Sequence, residues 1–169
     1  MYGKTRTNVH VIMNKNYWII EVFKKKNLPD IFGIDIKRSI EEIGIYNVEE
    51  VRVSNIYKIE CIADKEKIKK ITKELLIDNV SETFRIYKKI KIEKNCWIVE
   101  VFLKEGVTDP VGDTARDTII ESGILKDVNV KTGKRYYIKG NLKEKEIKEI
   151  CEKILANTLV QNYFIFKRV

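Results

Sequence analysis

Apolar residues follow two different periods along this chain, and the order in which the periods alternate occurs twice. Trp18, Ile20 and Val22 alternate with Ile19, Glu21 and Phe23, the pattern of a strand with one wholly apolar face. Ile36, Ile40 and Ile43 then fall at helical spacing, with Pro29-Asp30 ahead of them and Gly44 where a helix C-terminal glycine belongs. Val48, Val51 and Val53 predict a second strand, Ser54-Asn55 a turn, and Tyr57 to Cys61 a third strand. Ile68, Ile71, Leu75 and Leu76 sit at i, i+3, i+7 and i+8, the stripe of a second amphipathic helix. Phe84 and Ile86, with Ile90, give a fourth strand. Upstream, residues 1–7 are polar, and Val9, Val11 and Met13 alternate with His10 and Ile12 as in a short strand or an extended arm.

About 79 positions later the order returns. Trp97 to Phe102 repeat Trp18 to Phe23, Asp109 stands for Asp30, Gly112 for Gly33, Ile119 for Ile40 and Gly123 for Gly44. Ile147, Ile150, Ile154 and Leu155 match Ile68, Ile71, Leu75 and Leu76, and the helix end, break and strand of Thr72 to Tyr87 recur from Cys151 to Phe166. About two extra residues near Thr132-Gly133 and a loss before Val128 are the expected irregularities. Each half therefore reads β-α-β-β-α-β, an order that folds as an antiparallel sheet with both helices on one face. The expected class is α+β: an extension over 1–15, then ferredoxin-like repeats over 16–92 and 93–169. A half of this length buries only about 60% of its unfolded surface, against roughly 70% for the whole. The halves are thus expected to share a core or pack face to face, as a pseudo-two-fold dimer within one chain.

Composition narrows the function more by exclusion than by pointing. The net charge is +8, from 33 basic and 25 acidic residues. The lysines are spread through both halves and interleaved with glutamates, which favours a solvated surface over a nucleic-acid face. Tyr57 and Tyr136-Tyr137 do not make the aromatic, glycine-rich strand of an RNA-binding sheet. Cys61, Cys96 and Cys151 are too few and scattered for a disulfide framework or a zinc site, and read as buried reduced thiols. His10 is the sole histidine, so no triad can be assembled with it, and there is no G-x-S-x-G. Gly133-Lys134 ends like a phosphate-binding loop, but Val128 stands where the upstream glycine would be, so the pair reads as a hairpin turn. No apolar run nears the roughly 18 residues of a membrane span, and no secretory h-region is present, so a cytoplasmic protein is expected.

Two loops stand out. Asp109-Pro110-Val111-Gly112 opens a helix, with Asp109 placed to cap it and Pro110 suited to its first position. Leu155-Ala156-Asn157-Thr158 closes another, where Asn157 can take the left-handed C-terminal conformation.

The run Val101-Phe102-Leu103-Lys104-Glu105-Gly106-Val107-Thr108-Asp109-Pro110-Val111-Gly112 resembles the K-x-G-V-x-D-P-x-G signature of the PurS family, the small subunit of phosphoribosylformylglycinamidine (FGAM) synthase. Gly133-Lys134 is similar to that family's G-K turn. Cys151 to Asn157, followed by Tyr163, resembles its C-E-K-L-L-A-N segment and the tyrosine beyond. The first half resembles the family only through the second: Pro29-Asp30 inverts Asp-Pro, and Asp78 stands where Asn157 does. Thr108, Thr158 and Gln161 replace the family's leucine, proline and glutamate.

The resemblance implies an adaptor without catalytic residues, cofactor or metal of its own. It would bridge a glutaminase subunit (PurQ) to an ATP- and Mg-dependent synthetase subunit (PurL) for glutamine-dependent amidation of formylglycinamide ribonucleotide. A tandem chain would be a fused PurS dimer, and a homodimer of it would be equivalent to a PurS tetramer. The partner-interface candidates are Asp109, Pro110, Gly112, Gly133, Lys134, Asn157 and Tyr163, and the first repeat is expected to serve structure more than contact. The alternatives are a tandem ferredoxin-like module that binds nucleic acid or senses a small molecule.

Overall fold

A computed structural model describes residues 16–89 and 95–167 of the protein. The extended arm expected around Val9 to Met13, His10 and the contribution of Ile90 to a strand lie outside the described residues. The alternation at Trp18 forms β1 (Asn16–Lys24), and its copy forms β4 (Cys96–Leu103). Helices α1 (Ile31–Glu42) and α3 (Pro110–Glu121) follow them. Then come β2 (Val48–Cys61) and β5 (Val128–Gly140), α2 (Lys65–Ile71) and α4 (Glu144–Ile150), and the closing strands β3 (Glu82–Tyr87) and β6 (Gln161–Lys167).

Two expected turns are absent. Ser54-Asn55 lies in the middle of β2, and Gly133-Lys134 in the middle of β5, so each repeat reads β-α-β-α-β with one long strand in place of two short ones. The reason is pairing: β2 and β5 run antiparallel to one another from Val48↔Gly140 to Cys61↔Val128, which satisfies the backbone through both polar spots. The expected insertion near Thr132-Gly133 is also absent. Trp18 faces Ile59 and Trp97 faces Ile138, so the offset of 79 persists into the second strand of each repeat. The irregularity is a register shift between Val48 and Glu50.

That central pairing makes one six-stranded antiparallel sheet in the order β3-β1-β2-β5-β4-β6. The repeats therefore join edge to edge, not face to face. Asn55 faces Lys134, its own counterpart. In a two-fold contact only residues on the axis face their own equivalents, so the pseudo-two-fold passes through this pair.

The helices pack on one sheet face, and both cores mix the repeats. Trp97, Val99 and Val101 of β4 lie beneath Ile147 and Ile150 of α4, together with Ile40 of α1 from the first repeat. Trp18, Ile20 and Val22 of β1 lie beneath Ile68 and Ile71 of α2, together with Ala115 and Ile119 of α3 from the second repeat. A shared core was the expectation, and this exchange of helices is how it is built. Each of α2 and α4 runs on into a π-helical turn, Thr72–Leu76 and Cys151–Leu155. In the second turn Ala156 N–H donates to the Cys151 carbonyl at 2.9 Å, five residues back.

The opposite sheet face holds a polar knot close to the axis. Arg135 is 1% exposed and lies between Glu21 and Glu100, which are equivalent positions in the two repeats. Its Nη1 is 3.1 Å from Glu21 Oε2, while its Nε, at 3.1 Å, and its Nη2 both donate to Glu100 Oε1. Glu21 also accepts from Ser54 Oγ (2.8 Å), Tyr87 OH (2.9 Å) and Tyr137 OH (2.6 Å), and Lys58 Nζ lies 3.3 Å from Glu100 Oε2. Burial pushes the Glu100 carboxyl up from its usual value, and Lys58 pulls it the other way.

Candidate partner-docking site

Asp109 does two jobs at once. Its Oδ1 accepts from the Gly112 N–H at 2.9 Å, which caps α3, and from Thr132 Oγ1 at 2.7 Å. Its Oδ2 accepts from the Thr132 N–H of β5 at 2.7 Å. One carboxylate thus latches the helix start to the central strand. Pro110 takes the first helical position, where its missing N–H costs nothing. Gly112 is buried against β5: a Cβ there would come within 2.9 Å of the Val130 carbonyl oxygen and 2.6 Å of the Asp109 carboxylate. Asp30 repeats the latch in the first repeat, accepting from Gly33 N (2.9 Å) and Val53 N (2.7 Å). The aspartate and glycine therefore recur in both halves for a structural reason.

Gly133 faces Phe102 and Ile56 across its two neighbouring strands. Its lack of a side chain makes room for the Phe102 ring, which a Cβ would approach to 2.6 Å. Lys134 points to the helix face, with its ammonium 5.2 Å from the centre of the Phe32 ring of α1. Asp109, Pro110, Gly133 and Lys134 line one cleft of about 380 Å³ with Asn55, Val101, Leu155 and Gln161. Four of the seven candidates are thus brought together beside the axis, and Gly112 is not among the residues lining it.

The remaining two sit at the edge of this group. Asn157 does not adopt the left-handed conformation: among the described residues other than glycine, only Asn95 has a positive φ. The chain instead leaves the π-helical turn through an extended Ala156. Asn157 then organises a tight turn, in which Oδ1 accepts from Leu159 N (3.1 Å) and its carbonyl from Gln161 N (2.8 Å). Its own N–H donates to Gln161 Oε1 at 2.8 Å, tying it to the cleft rim. Asp78 makes the equivalent turn in the first repeat, with Oδ1 accepting from Val80 N at 2.9 Å. Tyr163 pairs with Val101 in the sheet, and its hydroxyl donates to Glu152 Oε1 at 2.9 Å. That hydrogen bond is the first cause of a raised Tyr163 pKa.

Cys151 is fully buried, and burial pushes its thiol up to about 12, far from the thiolate a nucleophile needs. Among the described residues no group of three or more histidine, cysteine and acidic side chains could hold a metal ion, and no helix is long and apolar enough to cross a membrane. What the cleft offers is surface: Val111 in its lining is 57% exposed, and Phe32, against Lys134, is 63% exposed. Sequence reading missed Phe32 and Asn55, because nothing local marks a residue whose neighbours come from the other repeat. Glu21 and Glu100, charged residues at the same place in two otherwise apolar strands, are the sequence signal of the polar knot.

The model of the family described as PurS, phosphoribosylformylglycinamidine (FGAM) synthase, matches the chain twice, over residues 18–89 and 97–167. The chain is also similar to the phosphoribosylformylglycinamidine synthase subunit PurS of Archaeoglobus fulgidus. The two are 37% identical over 75 residues, which cover 41% of this chain and 94% of that subunit.

Proposed function

This chain belongs to the PurS family, and from that membership we propose that it serves FGAM synthase of purine biosynthesis as an adaptor. In this reading it joins a glutaminase subunit (PurQ) to an ATP-dependent synthetase subunit (PurL), and supplies contacts in place of catalytic groups. The observation that carries the proposal is the double family match on a chain whose two repeats close into one pseudo-two-fold sheet. A fused pair of PurS-like units is one rigid platform, with related but unequal surfaces on either side of its axis.

The docking surface we assign is the cleft that Asp109-Pro110 and Gly133-Lys134 share, extended by the exposed Val111. Asp109 and Gly112 act there by holding the start of α3 in place, Pro110 and Lys134 by contact, and Asn157 and Tyr163 by shaping the neighbouring turn and strand. A largely apolar cleft with a single basic side chain, Lys134, suits a protein surface better than a nucleic acid, whose backbone calls for several.

The test is reconstitution of the amidation with purified glutaminase and synthetase subunits, with and without this chain. Glutamine-dependent amidation is expected to require it, and amidation from free ammonia to proceed without it. Glutamine-dependent activity at full rate in its absence would overturn the proposal.

A further inference from the structure

Two clefts occupy equivalent places in the two repeats and have diverged in charge. The first, of about 530 Å³, has walls that include Phe23, Asp30, Arg52 and Tyr137. The second holds their counterparts 79 positions away, Phe102, Asp109, Lys131 and Lys58. Five basic and three acidic side chains line the first, whereas three basic and four acidic ones line the second. The acids of the first cleft are also engaged: Glu21 in the polar knot, Asp30 in its latch, and Glu50 with Lys139 (3.1 Å) and Arg52 (3.8 Å).

The arginines are specific to the first repeat. Arg85 lies beside Glu21 on β3, and the position beside Glu100 on β6 is Phe164. The Arg85 guanidinium is 5.0 Å from the centre of the Phe23 ring, and that of Arg52 is 5.3 Å from the centre of the Tyr137 ring. All four residues line the cleft, together with Leu28 and Ile34. A guanidinium held against an aromatic face is restricted in orientation while its N–H groups keep their fork geometry, which suits phosphate oxygens. The apolar wall of Leu28 and Ile34 suits a flat ring, and the volume lies in the range of small-molecule sites.

We propose that the first-repeat cleft binds a phosphorylated small molecule of the nucleotide class, its phosphates on Arg85 and Arg52 and its base against Leu28 and Ile34. The site is separate from the docking cleft and does not depend on the adaptor reading. It gives the first repeat a role beyond completing the fold.

Isothermal titration of the full chain with adenosine diphosphate, adenosine and inorganic pyrophosphate tests this at low and at physiological salt. The diphosphate is expected to bind, adenosine and pyrophosphate each at least about tenfold more weakly, with affinity falling as salt rises. Arg85→Gln, at an exposed position and so expected to fold as the parent does, should weaken the diphosphate about tenfold or more, and Arg52→Gln likewise. Lys131→Gln, the equivalent change in the other cleft, should leave affinity unchanged. No binding at millimolar diphosphate would overturn the proposal. So would pyrophosphate binding as tightly as the diphosphate, or equal losses from Arg85→Gln and Lys131→Gln.

Discussion

Arg135 places one positive charge between two carboxylates that occupy the same position in the two repeats, an arrangement no symmetric dimer of identical units could have. Its own counterpart in the first repeat is Ile56, fully buried on the other side of the axis. Replacing Arg135 by isoleucine leaves two buried glutamates short of a partner, and should cost about 3–5 kcal/mol in chemical denaturation. Because the two positions are equivalent, the double variant Ile56→Arg/Arg135→Ile should regain at least half of that loss; purely additive losses would contradict the pseudo-symmetry. The neighbouring phenols make a second expectation. Burial raises Tyr136 to about 12, and raises Tyr137 as well, against an unfolded value near 10. Both contribute stability that is fully present below pH 10 and is lost as pH rises through their folded values. Tyrosinate absorbance should therefore lag in the folded protein and rise together with unfolding above pH 10. Early titration of all eight tyrosines without unfolding would refute it.

Each first helix of a repeat is fastened by an aspartate that caps it and also accepts a strand N–H, so the cap and the strand latch fail together. Asp30→Ala and Asp109→Ala should each lower stability by about 2–3 kcal/mol, more than a cap alone would account for. A loss below about 1 kcal/mol, measured by thermal or denaturant unfolding, would show that the strand contact contributes nothing. These elements also show where reading the chain succeeds and where it fails. The period-2 run at Trp18 and the helical stripes at Ile36 and Ile68 identify their elements, because each apolar face is buried in the expected way. Ser54-Asn55 and Gly133-Lys134 look like turns because local propensity favours turns there. The pairing of β2 with β5 overrides it, and that pairing lies some 79 residues away in sequence. Asn157 was readable as a break but not as an Asx turn, since its backbone follows from the π-helical turn before it. Among the candidate site residues, the Asp109 and Pro110 positions were readable from capping chemistry, whereas their meeting with Lys134 depends on the sheet order.

The two hydrophobic cores beneath the helices take helices from both repeats, so neither half owns a complete core, and the chain should unfold as one unit around its axis. Fusion frees the two halves to differ, and they do: the arginine of the polar knot, the charge of the paired clefts and the residues at the helix starts are all unequal. Such inequality gives the proposed adaptor two different surfaces, where a symmetric platform presents the same surface twice. The most direct measurement uses the double variant Val111→Asp/Lys134→Glu in the reconstituted three-component reaction. Both side chains line the proposed docking cleft, with Val111 largely exposed, so the variant should melt within a few degrees of the parent protein. Glutamine-dependent amidation should be lost with ammonia-dependent amidation unchanged; a variant that supports the glutamine reaction at the parent rate would rule out this cleft as the docking surface.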